Sequence, residues 1–159
     1  MHSQTARAPL PRPIYVLFLV RFVNAAGNFV FPFLTMMLTI KLGWRTDLAG
    51  SFMSGMQFLG GLGILAGGKL GDAIGRKRSL VLCQGGAALL FAACLAIGLA
   101  PSLPYLIAAA NFLLQAGWPV FNAIVADIAP AKERKRAYAL LYWGNNLGFS
   151  VGPLMAGYL

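Results

Sequence analysis

Two long runs of the chain, Leu48–Gly68 and Ser79–Ala100, contain no Asp, Glu, Lys or Arg. Between them lies one short charged stretch, Gly68-Lys69-Leu70-Gly71-Asp72-Ala73-Ile74-Gly75-Arg76-Lys77-Arg78. A helix of about 20 apolar residues crosses a bilayer core roughly 30 Å thick. The pair therefore reads as two membrane helices joined by a tight basic turn. Composition agrees: 58% of the 159 residues are hydrophobic and 11% charged, against about 25% charged in soluble domains. With a mean hydropathy of +0.71, no soluble fold of this size has interior enough to hide so much apolar surface.

The same reading along the chain predicts an all-α, polytopic transmembrane bundle of five spans, at about residues 14–40, 48–68, 79–100, 103–126 and 137–159, after a cytoplasmic tail over residues 1–13. The first span is expected to kink near Pro32, which has no backbone N–H to donate. Pro101-Ser102-Leu103-Pro104 marks an uncharged outer turn between the third and fourth spans. Five spans leave the C-terminus outside, so the bundle is expected to be incomplete, with further helices as its partner.

The formal charge is +9, which in a soluble protein would suggest nucleic acid. Its distribution argues otherwise. Ten of the thirteen basic residues fall on one side if the spans alternate: Arg7 and Arg12, then Lys69 and Arg76–Arg78, then Lys132 and Arg134–Arg136. Lys41 and Arg45 fall on the other side, and Arg21 lies inside a span. The positive-inside rule then places the N-terminus in the cytoplasm of a multi-pass cell-membrane protein, with lipid and not nucleic acid as the partner. Cys83 and Cys94 share one span, about 16 Å apart by helical rise, too far for a disulfide. The one histidine, His2, lies in the tail, so no metal cluster, no cofactor site and no Ser/His/Asp set is expected, and the chain is not read as an enzyme.

The charged turn resembles the signature loop of the major facilitator superfamily, G-x-L-[AG]-D-x-x-G-R-[KR], with Gly68, Leu70, Gly71, Asp72, Gly75, Arg76 and Lys77 in place. Its glycines allow a sharp turn and close helix approach. Asp72 is placed either to cap the helix beyond it or to pair with Arg76. Ala126-Asp127, Pro130, Arg134 and Ala137 are similar to the family's loop after the fourth helix, where Asp127 would pair with Arg134 or with the first basic loop. Gly148, Gly152, Pro153 and Gly157 resemble the fifth-helix pattern G-x-x-x-G-P-x-x-x-G of exporters that exchange drug-like solutes for protons. Gly144, Gly148 and Gly152 also form a flat ridge on which another helix can pack. The resemblance covers the chain after the tail, but only the first five of the family's usual twelve helices. Where the family often has an arginine in the fourth helix, this chain has Asn111.

Charge inside a span tends to mark function. Arg21, Asn24 and Asn28 share one face of the first span, by spacings of three and four. On the fourth, Asn111, Gln115 and Asn122 cluster within about 40° of rotation. In the family these two helices line the substrate path. Phe31, Gln57, Trp118, Tyr142 and Trp143 are weaker lining candidates, each better suited to ordinary packing or interfacial anchoring. For Arg21 the alternative is snorkelling to the inner headgroups from a depth of about 10 Å. The four acids, Asp47, Asp72, Asp127 and Glu133, all lie outside the apolar runs.

The resemblance implies a secondary carrier that works by alternating access, with proton-coupled efflux of small drug-like or metabolite solutes from the cell as its activity. Two rivals stay open: an uptake carrier for a small polar or anionic solute with Arg21 as counter-ion, and a membrane scaffold subunit that transports nothing.

Overall fold

The computed structural model describes residues 9–158. His2, Arg7 and the first part of the expected tail lie outside the described residues, as does Leu159 at the end of the fifth expected span. Every described element is helical: α1 Arg12–Gly27, α2 Val30–Met36, a π-helical turn Met37–Lys41, α3 Thr46–Ile74, α4 Arg76–Ile97, α5 Leu103–Ile128 and α6 Arg134–Tyr158.

Three of these, α3, α4 and α5, are long and apolar enough to cross a membrane. The first expected span, 14–40, is not one helix. It begins at Arg12 with proline at its N-terminal positions, stops at Gly27, and resumes at Val30. The interruption at Asn28-Phe29 lies one turn before Pro32. Pro32 cannot donate to the Asn28 carbonyl, and as the third residue of α2 it sits where no intrahelical donor is needed. The expected kink is thus a break. Past it, α2 leads into the π-helical turn, which closes with Leu42 N–H on the Met37 carbonyl at 3.1 Å.

The charged turn also differs from expectation. Helix α3 continues through Lys69–Ile74 and α4 starts at Arg76, so Gly75 alone is non-helical. Its φ of +87° is a conformation that a side chain would strain.

The chain divides into two packing units, one holding α1 and α6, the other running from Val30 to Ile124. In the first, Gly144, Gly148 and Gly152 of α6 meet α1 along Phe18, Phe22, Ala25 and Ala26. In the second, a ridge on α3 formed by Gly60, Gly63, Gly67 and Gly71 meets α5 along Asn111, Phe112, Gln115, Ala116 and Val120. Around the N-terminal part of α3 this unit has its own core of Leu34, Leu38, Ala49, Met56, Leu103 and Ile107. Trp44, Phe52 and Tyr105 extend it edge to face, with ring centroids 5.4 and 5.8 Å apart. Outward-facing residues such as Leu95, Leu89 and Phe58 are 87%, 74% and 71% exposed, as suits a chain whose solvent is lipid.

A Cβ at Gly67 would overlap the Ala116 carbonyl, whereas one at Gly61 on the same helix meets nothing within 4 Å. Gly67→Ala is therefore expected to lower stability by about 1–3 kcal/mol through overpacking. Gly61→Ala should leave stability unchanged or raise it by up to about 1 kcal/mol through helix propensity. Thermal melts of the two purified variants in one detergent check the contrast.

Candidate functional site

The motif residues sit at helix ends that each unit brings close to α5 or to its final turn. Arg76, the first residue of α4, sends Nη1 to the Ala123 carbonyl of α5 at 3.1 Å. Arg134, the first residue of α6, sends Nη2 to the Ala126 carbonyl at 3.0 Å. Both carbonyls lie near the C-terminal end of α5, where the helix dipole is negative; Ala126 is among the last four carbonyls, which lack intrahelical donors, whereas Ala123 still has Asp127 four residues on. The two arginines thus cap α5 at the expense of their own helices, whose positive ends already carry Lys77 and Arg78, and Lys135 and Arg136. A cation at a helix N-terminus is unfavourable by roughly 0.3–1 kcal/mol.

Asp72 takes neither expected role in this arrangement. It lies exposed on the last turn of α3, the N-cap of α4 is Gly75 without a side-chain cap, and Arg76 is turned to Ala123. The turn is tied instead by Ser79. This residue is fully buried, with Oγ 2.9 Å from the Leu70 carbonyl and 3.0 Å from that of Gly75. Of the motif glycines, Gly71 faces Val120 and Gly75 makes the turn, while Gly68 has open space beside it. Asp127 is exposed on the last turn of α5, and Glu133 lies 3.5 Å from Arg136.

On α6, Gly148 lets the helix reach the α1 backbone: a Cβ there would stand 2.5 Å from the Phe22 carbonyl and 2.6 Å from Ala25 Cβ. At Gly152 it would overlap the Ala26 carbonyl, while Gly157 meets nothing within 4 Å. Pro153 lies inside the helix and leaves the Phe149 carbonyl without its donor.

The two polar stripes belong to different packing units. On α1, Arg21 and Asn28 are half-buried and Asn24 is exposed. All three lie off the face that packs on α6, by about 110° of helical rotation. On α5, Asn111 is buried, and its Nδ2 donates to the Met56 carbonyl of α3 at 3.4 Å. Gln115 packs across Gly60, and Asn122 is half-buried. Two of the three α5 amides are thus engaged with α3. Among the weaker candidates, Gln57, Trp118, Tyr142 and Trp143 are exposed and Phe31 packs against the core around Leu34 and Leu38.

Sequence reasoning missed the α3 ridge and Ser79. The ridge had a readable signal in its spacings of three and four. The role of Ser79 had none, because it depends on Gly75 bringing α4 back along α3. Also missed were Asn146 and Ser150, exposed on α6 and bonded only to their own helix.

Asn111→Ala should cost about 1 kcal/mol, because the Met56 carbonyl keeps its helical partner. Asn111→Asp replaces a donor with an acceptor beside that carbonyl and should cost several-fold more. Gly152→Ala is expected to destabilise and Gly157→Ala to be silent. Yield and melting temperature of the four variants check both pairs.

The sequence model of the Major Facilitator Superfamily matches residues 17–159. A Na(+), Li(+), K(+)/H(+) antiporter of Planococcus maritimus is 34% identical over 143 residues, which is 87% of this chain and 33% of the relative. An uncharacterised MFS-type transporter of Bacillus subtilis, YqjV, is 28% identical over 142 residues, covering 86% and 33%. The multidrug resistance protein MdtH of an Enterobacter species is 28% identical over 151 residues, covering 91% and 36%. The chain thus spans about a third of the length of these relatives. No solved structure matches it significantly. A turn with Gly75 at its apex, arginine-capped helix ends and a family match over almost the whole chain agree: the chain belongs to the Major Facilitator Superfamily, a family of membrane transporters rather than enzymes.

Proposed function

We propose that the chain is part of a secondary carrier that works by alternating access and exports small solutes from the cell in exchange for protons. The observation that carries this reading is the fifth-helix motif in its packed form. Gly148 and Gly152 bring α6 against the α1 backbone, and Pro153 follows within the same helix. Two relatives support it by name, one an antiporter of alkali cations and protons, the other a multidrug resistance protein. Alkali cations therefore join drug-like cations among the solutes to test. In this reading five spans lie in the cell inner membrane, with the N-terminus and the basic helix ends in the cytoplasm. The solute-path candidates in this reading are Arg21, Asn24 and Asn28 of the first span and, taken by themselves, Asn111, Gln115 and Asn122 of α5. Asp72 and Arg76 bias the carrier toward its outward-facing state. The four acids of the chain stand at or beyond helix ends, so in this reading either the protonated group that drives exchange belongs elsewhere in the carrier or the coupling is different.

Everted membrane vesicles from cells expressing the protein, energised by respiration, test the reading. Addition of Na+, K+ or a lipophilic cation is expected to dissipate the pH gradient. Asp72→Asn should slow the response by about tenfold, equivalent to 1.4 kcal/mol. A gradient indifferent to every solute sinks the exporter reading.

Uptake of a small anion is the second reading, favoured by Arg21 as a half-buried cation within the first expected span. Accumulation of the anion in intact cells, abolished by Arg21→Gln and weakened by Arg21→Lys, would support it through bidentate recognition.

A further inference from the structure

We propose that a crevice between α3, α4 and α5, whose walls include no residue of either polar stripe, binds a lipophilic organic cation. The crevice has a volume of about 810 Å³, within the range of drug-sized sites. Phe52, Gly55 and Phe58 of α3, Leu90 of α4, and Tyr105 and Phe112 of α5 are among its walls, all within the unit that runs from Val30 to Ile124. It exists because the close glycine contacts between these helices run along only part of their length. Helix α3 meets α5 from Gly60 to Gly71. Helix α4 meets α5 where a Cβ at Gly86 would stand 2.8 Å from Leu113 Cδ1 and one at Gly117 would stand 3.4 Å from Cys83 Cβ. Toward Phe52 and Tyr105 no such contact continues, and a Cβ at Gly55 would meet nothing within 4 Å.

The walls select among apolar occupants. Phe52, Phe58, Tyr105 and Phe112 are aromatic, and the only oxygen or nitrogen on a lining side chain is the Tyr105 hydroxyl. Aromatic rings attract a cation through the negative charge of their faces, most strongly where water is excluded. An alkali cation would find nothing there to replace its water shell, which takes a ring of oxygen ligands. An organic cation with its charge spread and shielded by hydrocarbon loses far less hydration on entry, because the solvation cost falls as the ion grows. A second crevice of the same unit, of about 720 Å³, supplies the contrast. Val30, Met37, Cys94, Leu103 and Ile107 help to line it, with Phe91 as its one ring. A neutral lipophile is served equally by either crevice, whereas a cation gains from the aromatic one. The site is defined by binding alone, so it stands or falls apart from the direction of transport and from proton exchange.

Binding of radiolabelled tetraphenylphosphonium to the full chain in lipid nanodiscs tests the site. Empty nanodiscs supply the background, and tetraphenylborate, an anion of the same shape, the comparison. Saturable binding of the phosphonium and none of the borate is expected. Gly55→Phe places a ring in the crevice and should weaken phosphonium binding by about tenfold or more. Gly61→Phe adds the same ring to α3 outside the lining, where a Cβ also meets nothing within 4 Å, and should bind as the unsubstituted chain does. Phe52→Leu with Tyr105→Leu keeps the walls apolar but removes two rings, and should weaken phosphonium binding about tenfold. Melting temperatures show which variants are folded. Should Gly55→Phe fail to fold, Ala109→Phe blocks the crevice from an exposed position on its α5 wall. Absence of saturable phosphonium binding in the unsubstituted chain would overturn the site, as would equal binding of the borate. Binding that neither blocking variant weakens, that Gly61→Phe weakens as much, or that survives loss of the two rings would do the same.

Discussion

The structure depends on how closely two helix backbones can approach when the surrounding medium is as apolar as the side chains. In lipid, burying leucine against leucine gains little, so association relies on close van der Waals contact and on the few polar bonds available. Both packing units meet this constraint in the same way. A helix with glycine every three or four residues, α6 in one and α3 in the other, lies against a helix that carries polar side chains, α1 or α5. Ridge glycines face backbone carbonyls (Phe22, Ala26, Phe112 and Ala116), which places main chain against main chain. Elsewhere large apolar residues face outward, where a soluble protein would bury them.

Charge is arranged by a second constraint that competes with helix electrostatics. Basic residues fill the first turns of α4 and α6, the ends where cations are least welcome. The leading arginine of each run recovers part of that cost by donating to a carbonyl near the end of α5. The arrangement makes physical sense if sidedness in the membrane outweighs a few tenths of a kcal/mol per residue in helix stability. It also separates the roles of a motif that looks uniform in sequence. Arg76 bonds inward, whereas Lys77, Arg78 and Asp72 are left exposed to whatever faces this end of the protein.

Much of the architecture was legible in the chain. Uncharged runs longer than twenty residues can form little else than membrane helices, and α3, α4 and α5 follow them closely. The break after Gly27 was legible in part, because Pro32 announces a missing donor but not which residues take up the disruption. The candidate site was less legible. Helical spacing groups Asn111 with Gln115 but is silent on what they face, and Asn111 proves to be bonded to the Met56 carbonyl. In the same way, Asp72 looked like a cap because caps are read from residue type and position. The helix continued past it to Gly75, so the N-cap position of α4 fell to a glycine, which has no side chain to cap with.

What the sequence determined by itself is therefore the medium and the helices: apolar length, charge placement and proline position act locally, each through a few residues of one segment. What only the tertiary structure decided is which faces are occupied. The α3 ridge, the bond between Asn111 and Met56, the closure by Ser79 and the assignment of the two halves of the first span to different neighbours all arise between segments far apart in the chain. Periodicity marks the face on which a residue stands. Only packing shows whether that face meets a glycine, a carbonyl or open space.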